Sequence, residues 1–262
     1  MELSVRGAEV YAYTGTRPLD PSRPSVVFVH GAANDHSVWL LQSRYFAHHG
    51  RNALAIDLPG HGRSAGPVLR SVEAIADWIV DLLDAAGVGR AALVGHSLGA
   101  LAVLDCAARH AGRVEKIALL GPAVPMEVSD ALLAAARADD HVAYELINGW
   151  SIGAGKQLGG NTVPGMWLVG SGLRLMERTR PGVLHADLEA CRAWTGGLDA
   201  ARAVRCPSLA VLGARDLMAP PRAAKALIDA LPGLQVVSLA DTGHSMMAEQ
   251  PDAVLDALRR FL

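Results

Sequence analysis

The chain has 262 residues, of which 51% are apolar and 19% charged. That length lies near the upper end of what one hydrophobic core fills, so one domain with an insertion and two domains both fit it. The formal net charge of −2 leaves no basic excess to attract nucleic acid or an anionic membrane, and directs attention to a neutral or apolar small-molecule ligand.

The first residues, to about Tyr13, fit an antiparallel hairpin at a sheet edge, and Met1 to Gly7 lacks the apolar stretch of a signal peptide. Ser25 to His30 is β-branched and aromatic and ends at a glycine, the pattern of a buried strand. Val38 to His49 predicts a helix and Asn52 to Asp57 the next strand. From Val72 to Ala86, Ile75, Trp78, Ile79, Leu82 and Leu83 recur at helical spacing, and the pattern stops at Gly87. Ala91 to Val94 predicts a strand, Leu98 to Arg109 a helix and Ile117 to Leu120 a strand. Near the end, Ser208 to Leu212, Arg222 to Leu231, Gln235 to Leu239 and Asp252 to Leu262 read as strand, helix, strand, helix. Strands alternating with helices predict an α/β fold: a mostly parallel, doubly wound sheet with helices on both faces. The alternation breaks between Pro122 and about Asp199, where helical stretches and glycine-rich pieces such as Gly149 to Gly155 predict an inserted helical cap. The expected division is a core at 1–121 and 199–262 with a cap at 122–198. Apolar runs are broken well before membrane-spanning length. Three scattered cysteines, Cys106, Cys191 and Cys206, read as reduced structural thiols of a cytoplasmic protein.

Gly95-His96-Ser97-Leu98-Gly99 follows one predicted strand and opens one predicted helix. A strand-to-helix turn this sharp needs small neighbours, lifts the serine oxygen clear of the sheet, and sets it at a helix N-terminus that favours negative charge. A serine hydroxyl is a poor nucleophile at neutral pH, so it needs a base and a carboxylate to orient that base.

His30-Gly31-Ala32-Ala33, Asp57-Leu58-Pro59-Gly60-His61-Gly62-Arg63-Ser64, the turn at Ser97, and the late Asp216 and His244 together resemble the α/β-hydrolase superfamily over essentially the whole chain. The resemblance implies an α/β-hydrolase fold and a catalytic triad of Ser97, Asp216 and His244. Each partner also follows a predicted strand, and their chain order is the one this fold uses. Asp241 is the rival carboxylate, but it lies awkwardly close in sequence to His244. For the oxyanion, the residue after the nucleophile supplies the Leu98 N–H. The resemblance points to Ala32 for the second amide, with Ala33 as the fallback. His30 is expected to brace its loop. Asp57, His61 and Arg63 belong to a structural signature and receive no catalytic role.

Trp150, Met166, Trp167 and Trp194 in the cap are the candidate substrate-binding residues, suited to an apolar acyl or aryl group. Arg174, Arg178 and Arg192 offer an alternative, a carboxylate. Gly87-Val88-Gly89-Arg90-Ala91-Ala92 precedes a strand, the wrong way round for a dinucleotide turn, and Gly153-Ala154-Gly155-Lys156 lacks the upstream glycine of a phosphate loop. No cofactor and no metal are expected. The resulting expectation is a serine hydrolase of carboxylic esters. Lactonase and carbon–carbon bond hydrolase are alternatives with the same triad, and a non-catalytic ligand-binding protein is the alternative of another class. The oligomeric state stays open, a homodimer included.

Overall fold

The computed structural model describes residues 1–162 and 165–262. Its strands are β1 (Glu2–Val5), β2 (Ala8–Tyr13), β3 (Ser25–Val29), β4 (Asn52–Ile56), β5 (Ala91–His96), β6 (Val114–Leu120), β7 (Ser208–Gly213) and β8 (Gln235–Leu239). They form one sheet in the order β1-β2-β4-β3-β5-β6-β7-β8. The β1–β2 and β2–β4 pairs are antiparallel, as the edge hairpin requires, and every later pair is parallel.

Helices α1 (Leu40–His48), α2 (Val72–Ala85) and α3 (Leu98–Arg109) belong to the first half. Helices α9 (Lys225–Ala230), α10 (Met246–Glu249) and α11 (Pro251–Phe261) belong to the last part. Between β6 and β7 lie α4 (Asp130–Arg137), α5 (Val142–Ser151), α6 (Leu168–Met176), α7 (Val183–Ala193) and α8 (Gly197–Ala203), with no strand among the described residues. Of these, α8 packs on α3 of the core, so the chain returns to the sheet layer near residue 197. No helix among the described residues is long and apolar enough to cross a membrane.

The side-chain alternation of a strand explains how one sheet carries two cores. Val27 and Val29 of β3 pack with Trp78, Leu82 and Leu101 from α2 and α3 on one face. Val26 and Phe28 pack with Phe46 and Phe261 from α1 and α11 on the other. Strands β3, β4 and β5 are buried along their whole length, which is why they read as unbroken apolar runs. Each fully buried large side chain contributes roughly 1.5–3 kcal/mol. Parallel pairing places Val29 beside Gly95, Gly95 beside Leu119 and Gly213 beside Leu239. The loops that leave these strand ends therefore emerge together, under the inserted helices, where an open parallel sheet gathers its site.

Candidate active site

Ser97 sits between β5 and α3 with φ 54° and ψ −119°, a backbone conformation disfavoured for any residue but glycine. Such strain costs on the order of 1–3 kcal/mol and persists only when the surroundings impose it. Here the Ser97 N–H donates to the Leu120 carbonyl of β6 at 3.0 Å. The flanking glycines allow the sharp return: a Cβ at Gly95 would lie 2.2 Å from the Gly99 carbonyl, and one at Gly99 would lie 2.4 Å from the Val29 carbonyl. Because α3 starts at Leu98, the Leu98 N–H has no intrahelical acceptor.

His244 follows β8 and is buried. Its Nδ1–H donates to Asp216 Oδ2 at 2.7 Å, while Nε2 is buried with no hydrogen-bond partner among the described residues. A proton held on Nδ1 leaves Nε2 bare and able to accept one. Ser97 and His244 line the same cavity. Asp216 Oδ1 accepts the Met218 and Ala219 amides, each at 2.8 Å. Burial pushes the Asp216 carboxyl up, but His244 beside it and these two amides outweigh burial and hold it below the ordinary carboxylate range. Asp241 points elsewhere: its side chain is 80% exposed and lies 3.6 Å from Arg215.

Of four residues that received no role from sequence, three shape the surroundings of His244 and the fourth holds the loop at Ala33. Gly121, at the end of β6 with φ 57°, leaves room for the His244 ring, since a Cβ there would lie 2.9 Å from His244 Cε1 and 3.0 Å from Nδ1. The ring of His96 lies 4.6 Å from that of His244, and its Nε2–H donates to the His244 carbonyl at 2.9 Å. Burial first, and then repulsion from His244, lower His96 to about 3, so it is neutral. Glu249 is fully buried and accepts the amides of Gly243, at 3.0 Å, and Gly153, at 3.2 Å. It thereby ties the His244 loop to the chain leaving α5. Asp187 on α7 accepts the Ala33 N–H at 2.9 Å, so the fallback amide is already occupied. Ala32 does line the cavity, beside Gly31 and Ser97.

The remaining signature residues form braces. His30 Nδ1–H donates to the Gly31 carbonyl at 2.8 Å, and its Nε2 accepts the Leu58 amide at 3.1 Å. Asp57 accepts the His36 and Arg63 amides and the His36 ring. Among the described residues, Asp35, His36 and Asp57 have ligand-type atoms clustered closely enough for a metal, but Asp57 already receives a hydrogen bond on each oxygen.

The cavity beside Ser97 has a volume of about 100 Å³ and an apolar wall that includes Val128, Leu132, Ile147, Met176 and Leu188. It adjoins a groove of about 540 Å³, which shares Asn34, His96, Gly172 and Ser245 with it and continues past Val38, Leu41, Leu175 and Met247. Of the four expected substrate-binding residues, Met166 lines the groove. Trp194 packs into the core with α3, Trp167 is 63% exposed against Gly170, and Trp150 is at the surface; none of the three lines either cavity. An aromatic residue in an insertion does not announce which side it faces, and here the aliphatic and Met side chains form the walls. Arg174 and Arg178 stand at the groove, where Arg174 pairs with Glu177 at 2.6 Å and Arg178 lies 3.7 Å from Asp35, while Arg192 pairs with Asp130 at 2.8 Å outside it.

Residues 26–257 match the family described as "Alpha/beta hydrolase family". The chain is 27% identical to a putative carbamate hydrolase of Klebsiella pneumoniae, covering 91% of each protein. It is 30% identical to a pimeloyl-(acyl-carrier protein) methyl ester esterase of Aromatoleum aromaticum, covering 88% of this chain and 95% of that one. Among solved structures, the enol-lactonase of Burkholderia xenovorans LB400 superposes with a TM-score of 0.88 at 25% identity, covering 100% of this chain and 99% of that one.

Proposed function

We propose that this chain, which belongs to the alpha/beta hydrolase family, is a serine hydrolase that cleaves carboxylic esters of small apolar or aryl substrates through an acyl-enzyme. One observation carries the reading. A buried His244 Nε2 has no hydrogen-bond partner among the described residues, His244 lines the same cavity as a strained Ser97, and its other nitrogen is fixed by an ionised Asp216.

In this mechanism Ser97 Oγ attacks the substrate carbonyl carbon while His244 Nε2 takes the hydroxyl proton. The developing oxyanion is met by the N–H groups of Leu98 and Ala32, which need no reorganisation because the backbone already holds them. His244 then gives its proton to the leaving alcohol, and a water activated by the same nitrogen cleaves the acyl-enzyme. Asp216 stays ionised throughout and stabilises the imidazolium. The chemistry requires no metal or cofactor. The small apolar cavity suits a short acyl or aryl group, and the groove suits the other half of the ester. Buried, unpaired Cys106 and Cys191 are in keeping with a reducing, cytoplasmic setting.

Turnover of p-nitrophenyl esters and labelling by a fluorophosphonate test this directly. Ser97→Ala is expected to lose both, by at least about 10⁴-fold in kcat. Full retention of turnover in that variant overturns the reading, and a correctly folded wild-type chain that takes no label favours a binding protein. The likeness to an enol-lactonase over the whole chain supports a second reading, a lactone substrate for the same triad. A panel of acyl esters, aryl esters and lactones separates the two by kcat/KM.

A further inference from the structure

Ala33, like Ser97, has a positive φ. Its φ is 52°, and it is not a glycine. It occupies the second central position of a turn closed by the Asn34 N–H on the Gly31 carbonyl at 3.3 Å. A positive φ at that position is what a type II turn needs and what an alanine resists. The first central residue of the same turn is Ala32, whose N–H is the assigned oxyanion donor.

What holds Ala33 comes from the insertion. The Ala33 N–H donates to Asp187 Oδ2 of α7 at 2.9 Å. The Ala33 carbonyl accepts from Thr179 Oγ1, just past α6, at 3.1 Å. Both peptide groups that flank the strained Cα are therefore gripped by side chains 154 and 146 residues away. Asp187 is itself fixed. The same oxygen accepts the Nε2–H of His61 at 2.9 Å, and His61 Nδ1–H donates to the Pro59 carbonyl at 3.1 Å. Both ring nitrogens of a 2%-exposed histidine thus face acceptors, which is the bonding of an imidazolium, and Asp187 is its counter-ion.

We propose that Asp187 and Thr179 are positioning residues: the docked insertion holds Ala33 in its left-handed turn and so aims the Ala32 N–H at the oxyanion. The inference rests on the reading of Ala32 and Leu98 as the oxyanion donors. It makes one donor, Leu98, a property of the core alone and the other a property of the core with its insertion in place. Loosening a donor affects the transition state and leaves ground-state binding nearly untouched.

The test compares wild type, Asp187→Ala, Thr179→Val and the double variant Asp187→Ala/Ala33→Gly. Three quantities are read: kcat and KM for p-nitrophenyl butyrate, the affinity of an aryl trifluoromethyl ketone, which forms an anionic adduct on the serine, and the affinity of the matching methyl ketone, which does not. Asp187→Ala is expected to lower kcat by about ten- to a hundredfold. KM should stay within about threefold, trifluoromethyl ketone affinity should fall in proportion to kcat, and methyl ketone affinity should hold. Thr179→Val should show the same pattern more weakly. Glycine accepts the left-handed turn unaided, so Ala33→Gly should recover part of the loss in the Asp187→Ala background. Unchanged kcat and trifluoromethyl ketone affinity in folded Asp187→Ala, or parallel loss of both ketones, overturns the proposal. If Asp187→Ala does not fold, the same two outcomes in Thr179→Val decide it. Failure of the serine mechanism itself would show instead as turnover surviving Ser97→Ala.

Discussion

Two non-glycine residues near the cavity adopt the left-handed region, Ser97 at φ 54° and Ala33 at φ 52°, and they are held there by different parts of the molecule. Ser97 is gripped inside the core: β6 accepts its N–H, α3 begins at its back, and Gly95 and Gly99 bring the backbone of β3 and α3 into contact. Ala33 is gripped from the insertion, by Asp187 and Thr179. Strain enforced by packed sheet and helix lasts as long as the fold does. Strain enforced by two hydrogen bonds from a separate layer lasts only as long as that layer is docked. On this reading Ser97 is the rigid part of the proposed site and the Ala33 turn the conditional part.

The comparison can be broken or sharpened in order of expected effect. The core-held set should be the most sensitive in chemistry. Asp216→Asn removes the charge that fixes the Nδ1–H tautomer of His244, and kcat is expected to fall about 10⁴-fold, while Asp241→Asn should leave it unchanged; steady-state kinetics on both variants checks this. The reverse result would exchange the two carboxylates. Next is Gly99→Ala, whose new Cβ would meet the Val29 carbonyl at 2.4 Å and the His30 carbonyl at 2.6 Å. Backbone cannot yield there, so a loss above about 4 kcal/mol is expected in denaturant unfolding, enough to deplete the folded protein. A stable Gly99→Ala would mean the turn is not held by packing. Gly121→Ala is smaller. It pushes on the His244 ring and should lower kcat roughly tenfold with about 1–3 kcal/mol of destabilisation, measured by kinetics and thermal melting together.

The smallest effect concerns pH and belongs to the insertion. Burial pushes His61 down, but the Asp187 carboxylate first, with the Pro59 carbonyl and Asp57, outweighs it and raises His61 above the ordinary histidine value. Asp57 also favours its charge, while the His30 ring 4.9 Å away is lowered to about 4, by burial first and then by His61, and stays neutral. A raised histidine contributes stability that is fully present below about pH 6.5 and is lost as pH rises through its folded value. The melting temperature of wild type should therefore fall more steeply between pH 6 and pH 9 than that of Asp187→Asn, in which the charge pair is already gone. Parallel curves would show that the pair does not couple the two layers.

How much of this was legible in the sequence follows from the range of each interaction. The alternating strands and helices were readable because their patterns are local, and the turn at Ser97 because glycine spacing and the flanking elements lie within a dozen residues. Asp216 and His244 were readable as residues just past strands, and the geometry brings them within 2.7 Å. The single helix expected from Val38 splits into a 3-10 turn at His36–Trp39 followed by α1, because the Asp35 side chain caps the turn by accepting the Ser37 amide. Gly121, His96, Asp187 and Glu249 were not readable. Gly121 looks like any glycine after a strand. The value of Asp187 lies in a loop 154 residues earlier in the chain, and no local pattern carries such information. The cap tryptophans show the same limit: residue type suggested a pocket wall, while Trp194 was needed to cover α3.

The contacts made by Asp187 also bear on how this architecture can be rearranged. A core and an insertion joined only by two chain crossings would be interchangeable parts, and relatives could trade insertions freely. Here the insertion carries the carboxylate that completes a buried imidazolium in the core and accepts the amide of Ala33 in its turn. A transplanted insertion without an acid at that place on α7 would strand a positive charge in the interior, and a core without His61 would strand a negative one. The two parts can be inherited together or redesigned together, but grafting one without the other should yield a chain that fails at the seam.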